Sequence, residues 1–173
     1  MELVHKLENT IGGWLKSLPH LPANWSKWLA NNAWWIVLIG VIISIFGILG
    51  LAYVLMIALT FFGAATTFMG YAYSGVAYST WWIVVSIVSF ALLIITTVLE
   101  AMAISPLKAM KQKGWDLMFL VFLIGVLSGV VSAVVNFNAI SILPNLIWTA
   151  ISAVISAYVL FEVRSYFKTA VTK

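Results

Sequence analysis

Residues 34–55 read WWIVLIGVIISIFGILGLAYVL, and this stretch decides the fold class. It carries no charge and is long enough for a helix to cross the ~30 Å hydrocarbon core of a bilayer. The whole chain is 64% hydrophobic and 8% charged, so its 173 residues hold more apolar surface than one water-soluble core can bury. We therefore expect an all-α, polytopic bundle of transmembrane helices whose first partner is the lipid bilayer.

Four apolar regions follow one another along the chain. They cover residues 33–73, 81–104, 115–135 and 142–161. Each of the last three has the ~20 residues that a single span needs. The first is too long, because about 40 residues of helix would reach about 60 Å, twice the thickness of the core. The sequence therefore predicts four spans if the first region crosses once.

The positive charges bear on how often that first region crosses. The nine Lys and Arg residues fall into three clusters: Lys6, Lys16 and Lys27; Lys108, Lys111 and Lys113; Arg164, Lys168 and Lys173. The positive-inside rule assigns all three clusters to the cytoplasm, so residues 33–73 have to cross an odd number of times. We expect one crossing by residues 34–55, followed by an outer segment to about residue 80 that packs on the bundle or lies half-inserted.

A hairpin at residues 47–50 is the alternative. It would add a fifth span and leave one basic cluster on the outer side of the membrane. With one crossing, both termini are cytoplasmic. The chain then divides into an N-terminal interfacial segment, residues 1–33, and a four-span bundle, residues 34–173.

The opening residues predict an amphipathic helix. At 100° per residue, the apolar side chains share an arc of about 120°. They are Leu3, Val4, Leu7, Ile11, Trp14, Leu15 and Leu18. The other side carries Glu2, His5, Lys6, Glu8, Asn9, Lys16 and Ser17. We expect the helix to end before Pro19 and to lie flat on the inner leaflet, with a partner-binding or self-associating helix as the alternative.

Tryptophans mark the expected membrane boundaries, because Trp is enriched where a bilayer meets water. The residues assigned as interfacial anchors are Trp14, Trp25, Trp28, Trp34, Trp35, Trp81, Trp82 and Trp115. The sequence WWIV occurs twice, at residues 34–37 and 81–84. We interpret the two copies as opposite membrane boundaries rather than as a duplicated unit, since the similarity does not extend further.

Small residues recur every four positions in the last two spans. This spacing lets helix backbones approach closely. The predicted helix-packing positions are Gly125, Gly129 and Ala133 in the third span and Ser152 and Ser156 in the fourth. Such a seam either closes one bundle or joins copies of it, and the sequence leaves both possibilities open.

Glu100 is the only acid well inside the second apolar region. An acid within a span is costly and is by default a functional-site hypothesis. One interpretation is a proton or cation site. The favoured interpretation is an ion-pair network at the cytoplasmic boundary, because no second acid lies near mid-membrane to relay a proton. The candidate residues are Glu100, Lys108, Asp116, Glu162 and Arg164, and the pairs expected for Glu100 are Lys108 or Arg164.

The sequence gives an enzyme little chemistry to use. It has no cysteine, which excludes disulfides, thiolate metal sites and thiol nucleophiles. Both histidines, His5 and His20, lie in the N-terminal segment, so no HExxH pair or His-based triad forms within the bundle. We predict no catalytic, cofactor-binding or metal-binding residue. The net charge of +4 is too small and too dispersed for nucleic acid.

Two stretches carry a resemblance to known proteins. ISPLKAMKQKGWDLMF, residues 104–119, and FEVRSYFK, residues 161–168, resemble a group of short bacterial membrane proteins. That group has four spans, a K-rich turn followed by GWD, and a basic aromatic tail. The resemblance covers about residue 34 to the end of the chain, outside the amphipathic segment. It implies four spans in a bacterial inner membrane, and it carries over no active-site residue, since the group has no assigned activity.

These features favour a small, non-enzymatic membrane protein that works by association. It would assemble with itself or serve as an accessory subunit of a larger membrane complex. The alternative is a small oligomeric channel or transporter with Glu100 near the cytoplasmic end of its pathway. Four closely packed helices leave little room for water inside one copy, so conduction would require several copies.

Overall fold

The computed structural model describes residues 2–15, 17–69, 75–135 and 142–167, and these residues form five α-helices. The helices are α1 (Glu2–Leu15), α2 (Ala23–Met69), α3 (Gly75–Lys108), α4 (Gln112–Val135) and α5 (Ile142–Val163), followed by a 3₁₀ turn at Arg164–Tyr166. Each of α2 to α5 contains a stretch that is long and apolar enough to cross a membrane. The predicted all-α bundle with four candidate spans is confirmed.

Helix α2 shows the path of the long first apolar region. It runs unbroken for 47 residues, which is about 70 Å at 1.5 Å per residue. The alternative of a hairpin at residues 47–50, with five spans, is therefore wrong. The helix also passes through the expected boundary between residues 33 and 34 and continues beyond residue 55. A turn within the span would leave backbone N–H and C=O groups without partners in hydrocarbon, whereas each glycine in a helix costs only about 1 kcal/mol relative to Ala.

One side of α2 is buried and the opposite side is open along its length. The buried residues are Ser26, Ala30, Val41 and Leu55. The exposed residues begin in the first turn and include Trp25, Trp28, Trp35, Ile39, Phe46 and Leu49. We call this second set the outer stripe of α2. Between Trp28 and Trp35 the same side carries Asn31 and Asn32, so two polar residues separate the first two tryptophans from the rest of the stripe.

The helices pack in chain order. Helix α2 lies along α3, α3 along α4 and α4 along α5, while α1 packs on α5. Helix α5 meets α2 over a shorter length than it meets α4, and a groove lies between α2 and α5. We call the end where α2 and α4 begin and α3 and α5 finish the basic end. The positive residues described there are Lys27, Lys108, Lys111, Lys113 and Arg164.

A tight turn joins α3 to α4 at the basic end. Met110 has a positive φ of 51°. The N–H groups of Met110 and Lys111 donate to the carbonyls of Leu107 and Pro106, each at 2.9 Å. Gly114 then packs directly on the turn, because a Cβ at this position would lie 2.7 Å from the backbone nitrogen of Leu107. The absence of a side chain at Gly114 is what allows α4 to begin so close to α3.

Candidate functional site

The buried core of the bundle lies at the basic end. It contains Ala30, Ala103, Leu107, Trp115, Phe119, Val163 and Phe167. The Trp115 ring stacks on Phe119, with centroids 5.3 Å apart, and meets the edge of Phe161 at 5.5 Å. Its Nε1–H donates to the carbonyl of Leu160 at 2.7 Å. The predicted role of Trp115 as an interfacial anchor is therefore wrong: the α3–α4 turn directs its side chain inward, where it is 1% exposed.

The N-terminal segment is fastened to the end of α5. Glu8 is buried and pairs with Arg164. Ile11 packs against the buried core. Gly12 faces the Phe161 ring, and a Cβ on Gly12 would lie 3.1 Å from the nearest ring carbon. We call these contacts, together with those of Glu162 below, the N-terminal clasp.

Glu162 holds the loop between α1 and α2. Its Oε1 accepts hydrogen bonds from the N–H of Leu21 at 3.0 Å and from the hydroxyl of Ser26 at 3.2 Å. Its Oε2 lies 3.2 Å from Nδ1 of His20. A single acid near the end of α5 thus organises the chain just before and just after α2 begins.

The two cations expected to pair with Glu100 have other partners. Arg164 pairs with Glu8. The ammonium of Lys108 lies 4.8 Å from the centre of the Trp34 ring. The interpretation of Glu100 as the partner of either cation is therefore wrong. The N-terminal segment supplies the carboxylate for Arg164, and α2 supplies the aromatic face for Lys108.

The other two acids of the predicted set lie in separate surroundings. Glu162 belongs to the N-terminal clasp, as described above. Asp116 is exposed one turn into α4, where its Oδ1 accepts a hydrogen bond from Gln112 Nε2 at 3.0 Å. A polar cluster does exist at the basic end, but the residues that complete it come from the N-terminal segment rather than from the spans.

Glu100 lies on the inward face of α3. The buried residues Thr97, Ala103 and Leu107 lie three positions before it and three and seven positions after it, on the same side of the helix. Within the part of the chain that the structure describes, Oε2 of Glu100 is buried and has no hydrogen-bond partner. An acid so situated in an apolar helix is costly, so this oxygen is a candidate site for chemistry.

A groove separates α2 from α5, with α4 as its floor. Its volume is about 640 Å³. The wall residues include Ile36 and Val37 of α2, Phe122 and Gly125 of α4, and Ser152 and Ser156 of α5. The groove follows from packing in chain order, because α5 rests on α4 and meets α2 at the basic end, where Ala30 and Val163 share the buried core.

The predicted small-residue seam divides between two roles. A Cβ on Gly129 would lie 2.6 Å from Cγ2 of Thr149, so this glycine allows α4 and α5 of one chain to pack closely. Gly125 has open space around it and lines the groove with Ser152 and Ser156. The side chain of Ala133 lies outside the described residues.

The remaining tryptophans differ in exposure. Trp14, Trp25, Trp28 and Trp35 are exposed, and Trp34 is half-buried beneath Lys108. Their role as interfacial anchors stays a prediction. The side chains of Trp81 and Trp82 lie outside the described residues. Trp148 was not among the predicted anchors, yet it is 72% exposed and borders the groove at the end of α5 opposite the basic end.

Comparisons with protein-family models, with curated proteins and with solved structures found no match. Among the residues described, no three His, Asp or Glu side chains come together as a metal site would require. The class that the structure defines is an all-α bundle with four helices able to cross a membrane. Its features that bear on function are the groove, the N-terminal clasp and Glu100.

Proposed function

We propose that this chain is a multi-pass membrane protein that works by association and not by catalysis. It would act as a homo-oligomer or as an accessory subunit of a larger membrane complex. The observation that supports this most is the groove between α2 and α5. A transmembrane helix from a second copy or from a partner subunit would fill the groove and contact three helices at once.

The lining of the groove suits helix association in lipid. Association there depends on close packing and hydrogen bonds, because lipid tails are as apolar as the side chains they would replace. Gly125, Ser152 and Ser156 allow a backbone to approach, and a serine hydroxyl shared between helices contributes about 1 kcal/mol. Only 6% to 17% of the most apolar part of each candidate span is buried within one chain, so most of that surface is left for lipid or for partner helices.

Filling the groove should weaken assembly. We expect Ser156→Trp to lower the association constant by about fivefold to a hundredfold, since overpacking costs roughly 1–3 kcal/mol and 1.4 kcal/mol is a factor of ten. The measurement is the mass of the wild type and of the variant in nanodiscs, together with recovery of partners from native membranes.

Val154→Trp is the matched control. Val154 is exposed on the same helix, does not line the groove, and lies two positions away on the opposite side of α5. It should leave assembly unchanged. Equal effects of the two tryptophans would contradict the groove as the interface. A wild type that stays monomeric and recovers no partner would contradict association altogether.

We further propose that the basic end faces the cytoplasm of a bacterial cell, with the protein in the inner membrane. The positive-inside rule supports this orientation, because Lys27, Lys108 and Lys111 all lie at that end. The chain has no cysteine, so Lys111→Cys introduces a single thiol. We expect a membrane-impermeant thiol reagent to label it only after the cells are opened. Labelling on intact cells would show that the basic end faces the outside of the cell.

A second candidate function is the movement of protons or cations through an oligomer. Glu100 supports it, because a buried carboxyl oxygen without a hydrogen-bond partner is rare in a span and usually functional. Glu100→Gln keeps the shape of the side chain and removes its charge. If this candidate is correct, flux in proteoliposomes falls to background while the oligomer mass stays the same. Unchanged flux in the variant, or none in the wild type, would argue against it.

A further inference from the structure

We infer that the outer edge of α1, together with the exposed start of α2, binds the anionic headgroup surface of a lipid bilayer. The residues concerned are Lys6, Leu7, Trp14, Trp25, Lys27 and Trp28. None of them lines the groove, so the inference does not rest on the proposed association. The positive charge of the lysines, the exposed Trp and Leu side chains and the position beside a candidate span all favour lipid as the partner of this surface.

The N-terminal clasp determines which edge of α1 is left open. Glu8, Ile11 and Gly12 face the protein, where they meet Arg164, the buried core and the Phe161 ring. Leu7 and Trp14 lie along a different edge, and they are 44% and 73% exposed. A helix in a water-soluble protein would turn such an edge toward the core. Here the edge with the acid is inside and an apolar edge is outside, which is the arrangement expected of a helix that lies in a membrane interface.

The start of α2 extends the same kind of surface. Trp25 and Trp28 are exposed and meet edge to face, with ring centroids 6.5 Å apart. They begin the outer stripe, which continues into the part of α2 that is able to cross a bilayer. Seven positions, or about 10 Å of helix, separate Trp28 from Trp35, and Asn31 and Asn32 lie between them. Trp25 and Trp28 therefore lie one headgroup layer away from the apolar part of the stripe, at the level where α1 is attached.

The exposed lysines of this surface favour anionic lipids. Lys6 precedes Leu7 and is exposed, and Lys27 is exposed between the two tryptophans of α2. A lysine near an anionic membrane surface shifts the distribution between bound and detached states roughly fivefold. Exposed Trp and Leu beside lysines are the composition of helices that bind anionic interfaces. Anionic headgroups thus complement this surface better than zwitterionic ones.

The test uses the full-length protein with one nitroxide label, attached through Leu7→Cys or Asn9→Cys. Both positions are exposed, and they lie 200° apart on α1 at 100° per residue. The protein is placed in bilayers of phosphatidylcholine mixed with phosphatidylglycerol, and the label is exposed to oxygen, which concentrates in lipid, or to a water-soluble nickel chelate. We expect oxygen to reach the label at Leu7→Cys more readily than the chelate does, and the chelate to reach the label at Asn9→Cys more readily than oxygen does. The ratio of oxygen access to chelate access should differ several-fold between the two positions.

Two further variants test the charge and guard against local unfolding. Trp14→Cys repeats the measurement two turns further along the same edge and should match Leu7→Cys. The label on Leu7→Cys should become more accessible to the chelate when Lys6→Gln and Lys27→Gln are combined, or when the bilayer is phosphatidylcholine alone. The expected change in the ratio of chelate access to oxygen access is roughly fivefold per lysine.

Three results would overturn the inference. Equal access of the chelate to Leu7→Cys and Asn9→Cys would mean that the edge faces water. Shielding of Leu7→Cys and Trp14→Cys from both reagents would mean that protein covers the edge. A ratio of oxygen access to chelate access that changes neither with the lysine substitutions nor with the lipid charge would rule out recognition of anionic headgroups.

Discussion

Trp115→Ala should lower the free energy of unfolding by about 3–5 kcal/mol, the range for removing a large aromatic side chain from a core. The variant loses the stacking on Phe119, the edge contact with Phe161 and the hydrogen bond to Leu160. It also leaves a cavity at the point where four helices meet. The measurement is the loss of helical signal as a denaturing detergent is added to protein in a mild one.

Two variants show whether the effect comes from the buried ring. Trp115→Phe keeps an aromatic ring and loses only the N–H donor, so it should cost about 1–2 kcal/mol, with the carbonyl of Leu160 left without this partner. Trp28→Ala removes a ring that is 54% exposed and should change little in detergent. If Trp115→Ala were no worse than Trp28→Ala, the core at the basic end would not be what stabilises the bundle.

Gly114→Val should destabilise the protein by up to about 3 kcal/mol, the cost of overpacking a closely packed site. The new Cβ would lie 2.7 Å from the backbone nitrogen and 3.0 Å from the Cα of Leu107. Backbone atoms cannot move aside as a side chain does, so α3 and α4 have to separate at the turn. The midpoint of thermal unfolding, followed by circular dichroism in detergent, measures this effect.

Gly50→Val is the control for that substitution. A Cβ on Gly50 meets nothing within 4 Å, and the residue lies in the middle of α2. This variant should unfold at nearly the wild-type midpoint, because Val is at least as good a helix former as Gly. Comparable losses for the two variants would mean that the turn at Gly114 is not tightly packed.

The sequence was a good guide to the spans and a poor guide to how they end. Hydropathy depends on composition alone, so an apolar stretch such as residues 34–55 predicts a helix that crosses lipid whatever it packs against. The length of α2 was harder to predict, because nothing in residues 56–69 stops a helix. Only the rule that a span needs about 20 residues suggested an end near residue 55.

The residues of the candidate site were harder to predict for a different reason. Trp115 has the same signature as a boundary tryptophan, and only the direction of the α3–α4 turn tells the two apart. The helical periodicity predicted that Glu8 lies on the polar side of α1, but periodicity does not show which side of a helix packs against the rest of the protein. Its partner, Arg164, is 156 positions away along the chain. Contacts at such a separation leave no local pattern, so the clasp could not be read from the sequence.

That separation has a consequence for how the protein is made. Synthesis begins at the N-terminus, so α1 leaves the ribosome before α5 exists, and the contacts of Glu8 with Arg164 and of Leu21 with Glu162 cannot yet form. The clasp closes only when the last helix is in place and Glu162 and Arg164 have emerged. The contacts between the N-terminal segment and α5 are therefore among the last to form as the described part of the chain is made.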